Sequence, residues 1–188
     1  MESTSSSLLL RLRQPGEQAA WRCFVELYTP LLYYWACRMG LRGQDAADLV
    51  QDVFVTLVQK MPQFQYDAHK GFRPWLRTVA ENRWRDALRK RAALPRHAAD
   101  AALANAAVPA EAAALWDVEY RQHVLARAVQ LMRSDFAEKT WKACWALVID
   151  GKSGADVGRE LGMTVEAVYA AKSRVMRRLR QELDGLLD

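Results

Sequence analysis

The stretch Ser153-Gly-Ala-Asp-Val-Gly-Arg-Glu-Leu-Gly162-Met-Thr-Val-Glu-Ala-Val168 carries the pattern of two short helices meeting at a tight turn. Gly158, Gly162 and Val168 lie four and six residues apart, with Val157 and Leu161 before the turn and Met163 just after it. A small residue in the first helix lets the second approach, a glycine reverses the chain, and a β-branched residue locks the second helix inward. Ser153 with Asp156 forms a capping-box signature for the first helix, and Thr164 is placed to cap the second. The second helix then turns Val165, Val168, Val175 and Leu179 toward a core. Tyr169, Lys172, Ser173, Arg174, Arg177 and Arg178 fall on or beside its outer face. A basic outer face suits entry into the major groove of duplex DNA, with arginines reaching phosphates or guanine edges. A hairpin that only packed would show the spacing without the charge.

Positive charge is concentrated elsewhere too. The 188-residue chain holds 27 basic and 22 acidic residues, a net +5. Residues 70–91 carry eight basic side chains against Glu81 and Asp86, and residues 164–180 carry five against Glu166. Those stretches are +6 and +4, so the rest of the chain is −5. Two basic stripes with few interleaved acids are the electrostatic footprint of phosphate backbones.

The helical period recurs throughout, and no long stretch alternates with the strand period. Ala20, Phe24, Leu27, Tyr28, Leu31 and Trp35 make one apolar stripe, with Pro30 inside it predicting either a kink or a restart capped by Thr29. A second helix is predicted over 45–61, stopped by Pro62, with Leu49, Val50, Val53, Phe54, Leu57 and Val58 inside. Pro74 is predicted to open a third helix ending near Arg91. Residues 92–114 are dominated by alanine, with Pro95 and Pro109, and read as a flexible linker with little to bury. Helices resume over 116–132 and 137–149. The expected fold is all-α, two small helical domains over 1–91 and 116–188 joined by a flexible linker over 92–115.

Between Phe64 and Arg91, aromatics stand among cations: Phe64, Tyr66, Phe72, Trp75 and Trp84 beside His69, Lys70, Arg73, Arg77, Arg83 and Arg85. That mixture suits single-stranded nucleic acid, whose bases stack on rings while arginines track phosphates. Periodicity puts Leu76, Val79, Ala80, Trp84, Ala87 and Leu88 on a core stripe, so Trp84 reads as packing. Asn82 lies off that stripe with an amide suited to a base edge. On the preceding helix, Asp45, Asp48 and Asp52 repeat at i, i+3 and i+7 beside Gln51. The helix dipole accounts for acids at the helix start but not for Asp52 in its middle. An acidic face repels DNA and fits a basic protein surface.

Other function classes find less support. Gly151-Lys152-Ser153 is not a phosphate loop, since Ala146 stands where the first glycine is needed and a helical pattern precedes it. His69, His97 and His123 are scattered without metal-ligand spacing to Cys23, Cys37 or Cys144, so no metal and no cofactor is expected, and no enzyme. Three widely spaced cysteines argue against a disulfide framework and for a reducing cytoplasm. The apolar runs are too short for membrane insertion, and residues 5–10 make no signal peptide.

Asp45-Ala-Ala-Asp-Leu-Val-Gln-Asp-Val-Phe54, then Lys70-Gly-Phe-Arg-Pro-Trp-Leu-Arg-Thr-Val-Ala-Glu-Asn-Arg83, then the helix-turn-helix, in that order, resemble the extracytoplasmic-function class of bacterial RNA polymerase sigma factors. The resemblance implies a region 2-like domain over 1–91, which binds core polymerase and reads and melts the −10 element, and a region 4-like domain over 116–188 for the −35 element. It implies as partners core RNA polymerase through its β′ clamp helices and β flap, promoter DNA both double-stranded and melted, and an anti-sigma factor. Asp48, Gln51 and Asp52 match the positions that meet the clamp helices. Phe64 and the loop to Phe72, with Lys70, Arg73, Trp75, Asn82 and Arg83, match the −10 and melting positions, and Arg174 matches a −35 position. Two departures stand out. Gly71 runs directly into Phe72, which shortens the loop of the base pocket. Tyr169-Ala-Ala171 replaces basic and hydroxyl residues early in the recognition helix, leaving fewer direct contacts. The competing expectation is a helix-turn-helix regulator that binds an operator without becoming a polymerase subunit.

Overall fold

A computed structural model of the chain describes residues 7–65, 71–92 and 107–187. Among them there are helices and no strand. The described residues divide into two compact units, those between 8 and 125 with 185–187, and those between 126 and 184 with Ser7.

The larger unit is built on α1 (Leu8–Leu12), α2 (Gln18–Arg38), α3 (Gln44–Lys60) and α4 (Phe72–Ala92). Every residue of the expected α2 stripe is buried, joined by Leu32 and Ala36. The helix runs through Pro30 without restarting. Pro30 lies on the exposed face, where its missing N–H costs no buried partner, and the Thr29 hydroxyl donates back to the Val25 carbonyl at 2.7 Å instead of capping a new helix. On α3, Leu49, Val50, Val53 and Leu57 are buried, but Val58, expected inside, is 52% exposed. A 3₁₀ turn, Met61–Gln63, follows with Pro62 in it. The α4 helix starts two residues before Pro74, which still falls in the first turn where no backbone N–H is required. That start makes Phe72 a core residue.

The compact units do not divide at the expected boundary between linker and second domain. Residues 93–106 lie outside the described residues. From Pro109 the chain is helical: α5 (Ala110–Ala114), a π-helical turn (Leu115–Glu119) and α6 (Tyr120–Met132). Ala112, Leu115, Trp116, Tyr120 and Val124 are all buried, and the division between units falls after Leu125. The physical reason is aromatic. Trp116 packs edge-on to Trp35 with ring centroids 6.0 Å apart, and the buried hydroxyls of Tyr28 and Tyr120 lie 2.8 Å apart. Tyr120 donates its own proton to the Leu186 carbonyl at 2.9 Å, so Tyr28 is the donor between the two phenols. Burial first, and then Tyr120, push the Tyr28 pKa well above its ordinary value.

The smaller unit contains α7 (Glu138–Val148), α8 (Gly154–Leu161) and α9 (Val165–Leu183). Its core is Ala143, Ala146, Val157, Val168 and Ala171, flanked by Leu147, Leu161 and Met163. Small side chains at the centre let the three helices approach closely. Val165, expected inside, is exposed, and Ala171 takes the inward position.

Candidate functional site

The helix-turn-helix is held by local chemistry. Ser153 Oγ accepts the Asp156 N–H at 3.1 Å and donates to its carboxylate at 2.6 Å, holding that carboxyl below its usual pKa. Gly162 ends α8 in the left-handed region at φ +61°, and Met163 N–H bonds back to the Gly158 carbonyl at 2.9 Å. Thr164 caps α9 by accepting the Ala167 N–H at 3.2 Å. A methyl built on Gly158 would stand 2.7 Å from the Met163 carbonyl oxygen, so this glycine is what allows the two helices to meet.

The exposed side of α9 presents Tyr169, Lys172, Ser173, Arg174 and Arg177 together. Arg180 joins them, a residue the sequence reading missed because it lies a turn beyond the motif. Lys172, Arg177 and Arg180, with Leu147, Val148 and Met176, border a groove of about 730 Å³. Arg178 belongs elsewhere. It is half-buried and ion-paired with Glu182, one turn along, and with Asp135 at 3.9 Å. Its guanidinium neutralises a buried carboxylate, where the sequence reading expected it on or beside the outer face.

In the larger unit the aromatic and basic residues separate into two groups. Phe72, expected at the melting site, lies fully buried against Phe24, Tyr28, Phe64 and Trp75, a core position. Arg73, expected at the −10 site, donates to the Trp116 carbonyl at 3.1 Å and stands 6.0 Å over the Tyr120 ring, clasping the Trp116 segment. Phe64 and Trp75 remain partly exposed with ring centroids 4.4 Å apart. Asn82 is exposed on α4. Arg83 pairs with Asp86 at 3.2 Å, while Arg77 and Arg85 both reach Glu81, at 2.8 and 3.7 Å. Lys70, with Tyr66 and His69, lies outside the described residues.

A third surface runs along α3. Asp48, Gln51 and Asp52 are exposed one turn after another, with Asp48 accepting from Gln44 at 2.6 Å. Val55, 56% exposed, and Val58 continue the stripe. Val58 was expected inside, as a β-branched residue of the apolar stripe, and Val55 was assigned to neither face. Asp45 sits apart, paired with Arg91 at 3.1 Å.

An aromatic groove in the smaller unit was also not foreseen. Phe136, Trp141 and Trp145 form a ladder with successive centroids 6.1 Å apart. Trp141 and Trp145 line a cavity of about 420 Å³ with Val129 and Leu161, beside a Lys152–Glu160 ion pair at 2.7 Å. Among the described residues, no group of histidine, cysteine and acidic side chains is arranged to hold a metal, and no helix is long and apolar enough to cross a membrane.

Comparison with known proteins gives two matches. A family described as Sigma-70 region 2 matches residues 24–93. RNA polymerase sigma factor CarQ of Myxococcus xanthus is 28% identical over 173 residues, covering 91% of this chain and 93% of that protein.

Proposed function

We propose that this chain is a sigma factor of the sigma-70 family, similar to the extracytoplasmic-function class, that it directs promoter recognition and transcription initiation, and that its two units divide the work as follows. The α3 stripe of Asp48, Gln51, Asp52, Val55 and Val58 docks on the β′ clamp helices of core RNA polymerase. Acids surrounding exposed valines make a surface that DNA repels and that a basic protein helix complements. This stripe is the observation that carries the reading, because a regulator that only bound an operator would have no use for it.

Phe64, Trp75 and Asn82 take the melted −10 strand. Extracting a base costs a few kcal/mol of stacking, and a ring platform returns about 1–3 kcal/mol per base, so binding alone can hold the strand open without hydrolysis. In the smaller unit, α9 meets the −35 duplex through Lys172, Ser173, Arg174, Arg177 and Arg180. The Trp141–Trp145 groove offers an apolar seat for the polymerase β flap, and an anti-sigma factor is the regulatory partner that family membership leads us to expect. The protein works in the cytoplasm, at the nucleoid when bound to polymerase.

The α3 assignment is tested by equilibrium binding of labelled chain to bacterial core polymerase. Asp52→Arg should weaken binding about tenfold or more, by placing a cation against a basic surface, with an unchanged unfolding midpoint because the Asp52 side chain faces solvent. Equal affinity for wild type and variant would remove the clamp assignment.

A further inference from the structure

Gly154 opens α8 and is buried, yet its backbone is not in the positive-φ region that would call for glycine. What it provides is room. A methyl group built there would stand 2.8 Å from Tyr169 Cε2 and 3.0 Å from both Cζ and the hydroxyl oxygen. The phenol ring of Tyr169 therefore rests on the bare backbone of α8, although half of the residue's surface is exposed. Tyr169 also lies toward one flank of the helix. Opposite the buried stripe of Val168, Ala171, Val175 and Leu179, the centre of the exposed face is formed by Glu166, Ala170, Ser173 and Arg177.

We propose that Gly154 and Tyr169 form a positioning pair, in which the missing side chain of one fixes the phenol of the other so that its hydroxyl grips a backbone phosphate of duplex DNA. A side chain at the centre of the exposed face enters the groove and meets base edges, whereas one at the flank, leaning on the neighbouring helix, meets the phosphates that border the groove. Tyrosine hydroxyls are ordinary donors to phosphate, and such bonds fix register without reading sequence. Resting the ring on Gly154 before DNA arrives removes most of the rotamer entropy that binding would otherwise lose. The phenol supplies a backbone contact in a turn, residues 168–171, that carries no cation.

This inference rests on the reading of α9 as the duplex-binding face, and the test separates the two. Holoenzyme assembled from the chain and core polymerase is titrated with promoter fragments carrying different −35 sequences, and with non-promoter duplex. Tyr169→Phe and Gly154→Ala should each lower affinity by about three- to tenfold, by a similar factor on every duplex. In a Tyr169→Ala background, Gly154→Ala should have no further effect, since nothing remains for the methyl to displace. An equal effect of Gly154→Ala in both backgrounds would overturn the pair, as would wild-type binding by Tyr169→Phe. A loss confined to some −35 sequences would assign Tyr169 to a base edge and overturn the phosphate contact. Arg174→Ala serves as the control. If it weakens binding while the pair shows no coupling, this inference alone fails; if Arg174→Ala and Tyr169→Ala both bind as wild type, the α9 reading fails with it. Gly154→Ala should keep its unfolding midpoint, because the methyl meets a ring that can swing aside, and if it does not fold, Tyr169→Phe decides the phosphate contact alone.

Discussion

At Gly158 the neighbour of an added methyl is the Met163 carbonyl oxygen, part of the turn itself, and backbone there cannot swing away as a tyrosine ring can. Gly158→Ala should therefore cost the smaller unit about 1–3 kcal/mol through a forced shift of α8 against the turn. Thermal unfolding of the full chain measures it, and an unchanged midpoint would mean the turn relaxes freely. The role of Gly158 was legible in the sequence because everything it touches lies within six residues. Phe72 and Arg178 were not, since their surroundings come from far along the chain: Phe24 and Tyr28 for the ring, Asp135 for the guanidinium. An aromatic followed by an arginine reads the same whether the ring faces a core or a nucleic acid.

Among whole elements, the buried faces of α2 and α4 followed from periodicity, and Trp84 lies where its stripe put it. The outward valines of α3 did not follow, because a partner surface and a core demand the same residue types. The segment around Trp116, expected to open the second domain, groups with the larger unit, and the sequence did not show it for a related reason. Its alanine-rich approach shows no apolar stripe, so nothing local says which core Trp116 and Tyr120 join. The structure places both in the larger unit, with Arg73 clasping the Trp116 carbonyl. Trp116→Ala should then destabilise that unit by about 3–5 kcal/mol, as removal of a fully buried indole does. The unit's own unfolding transition, followed by hydrogen exchange at α2 and α4, should shift. Exchange protection lost only from α7 to α9 would return Trp116 to the second domain.

For the molecule as a whole, composition spoke through distribution and not through the modest net charge. Cations gather on α4 and α9 while acids gather on α3, so the two signs are segregated onto different helices. Several α4 arginines are engaged by Glu81 and Asp86, and beside them Phe64 and Trp75 keep their rings, and Asn82 its amide, at the surface. The order of the motifs made the two helical units legible; which side chains each unit buries and which it exposes required coordinates. The most direct measurement is run-off transcription with purified chain, bacterial core polymerase and a panel of promoter fragments. The account predicts transcripts from a subset of promoters only when the chain is present, and their loss with Asp52→Arg. Promoter-fragment binding by the chain with no complex with polymerase and no transcript would contradict it.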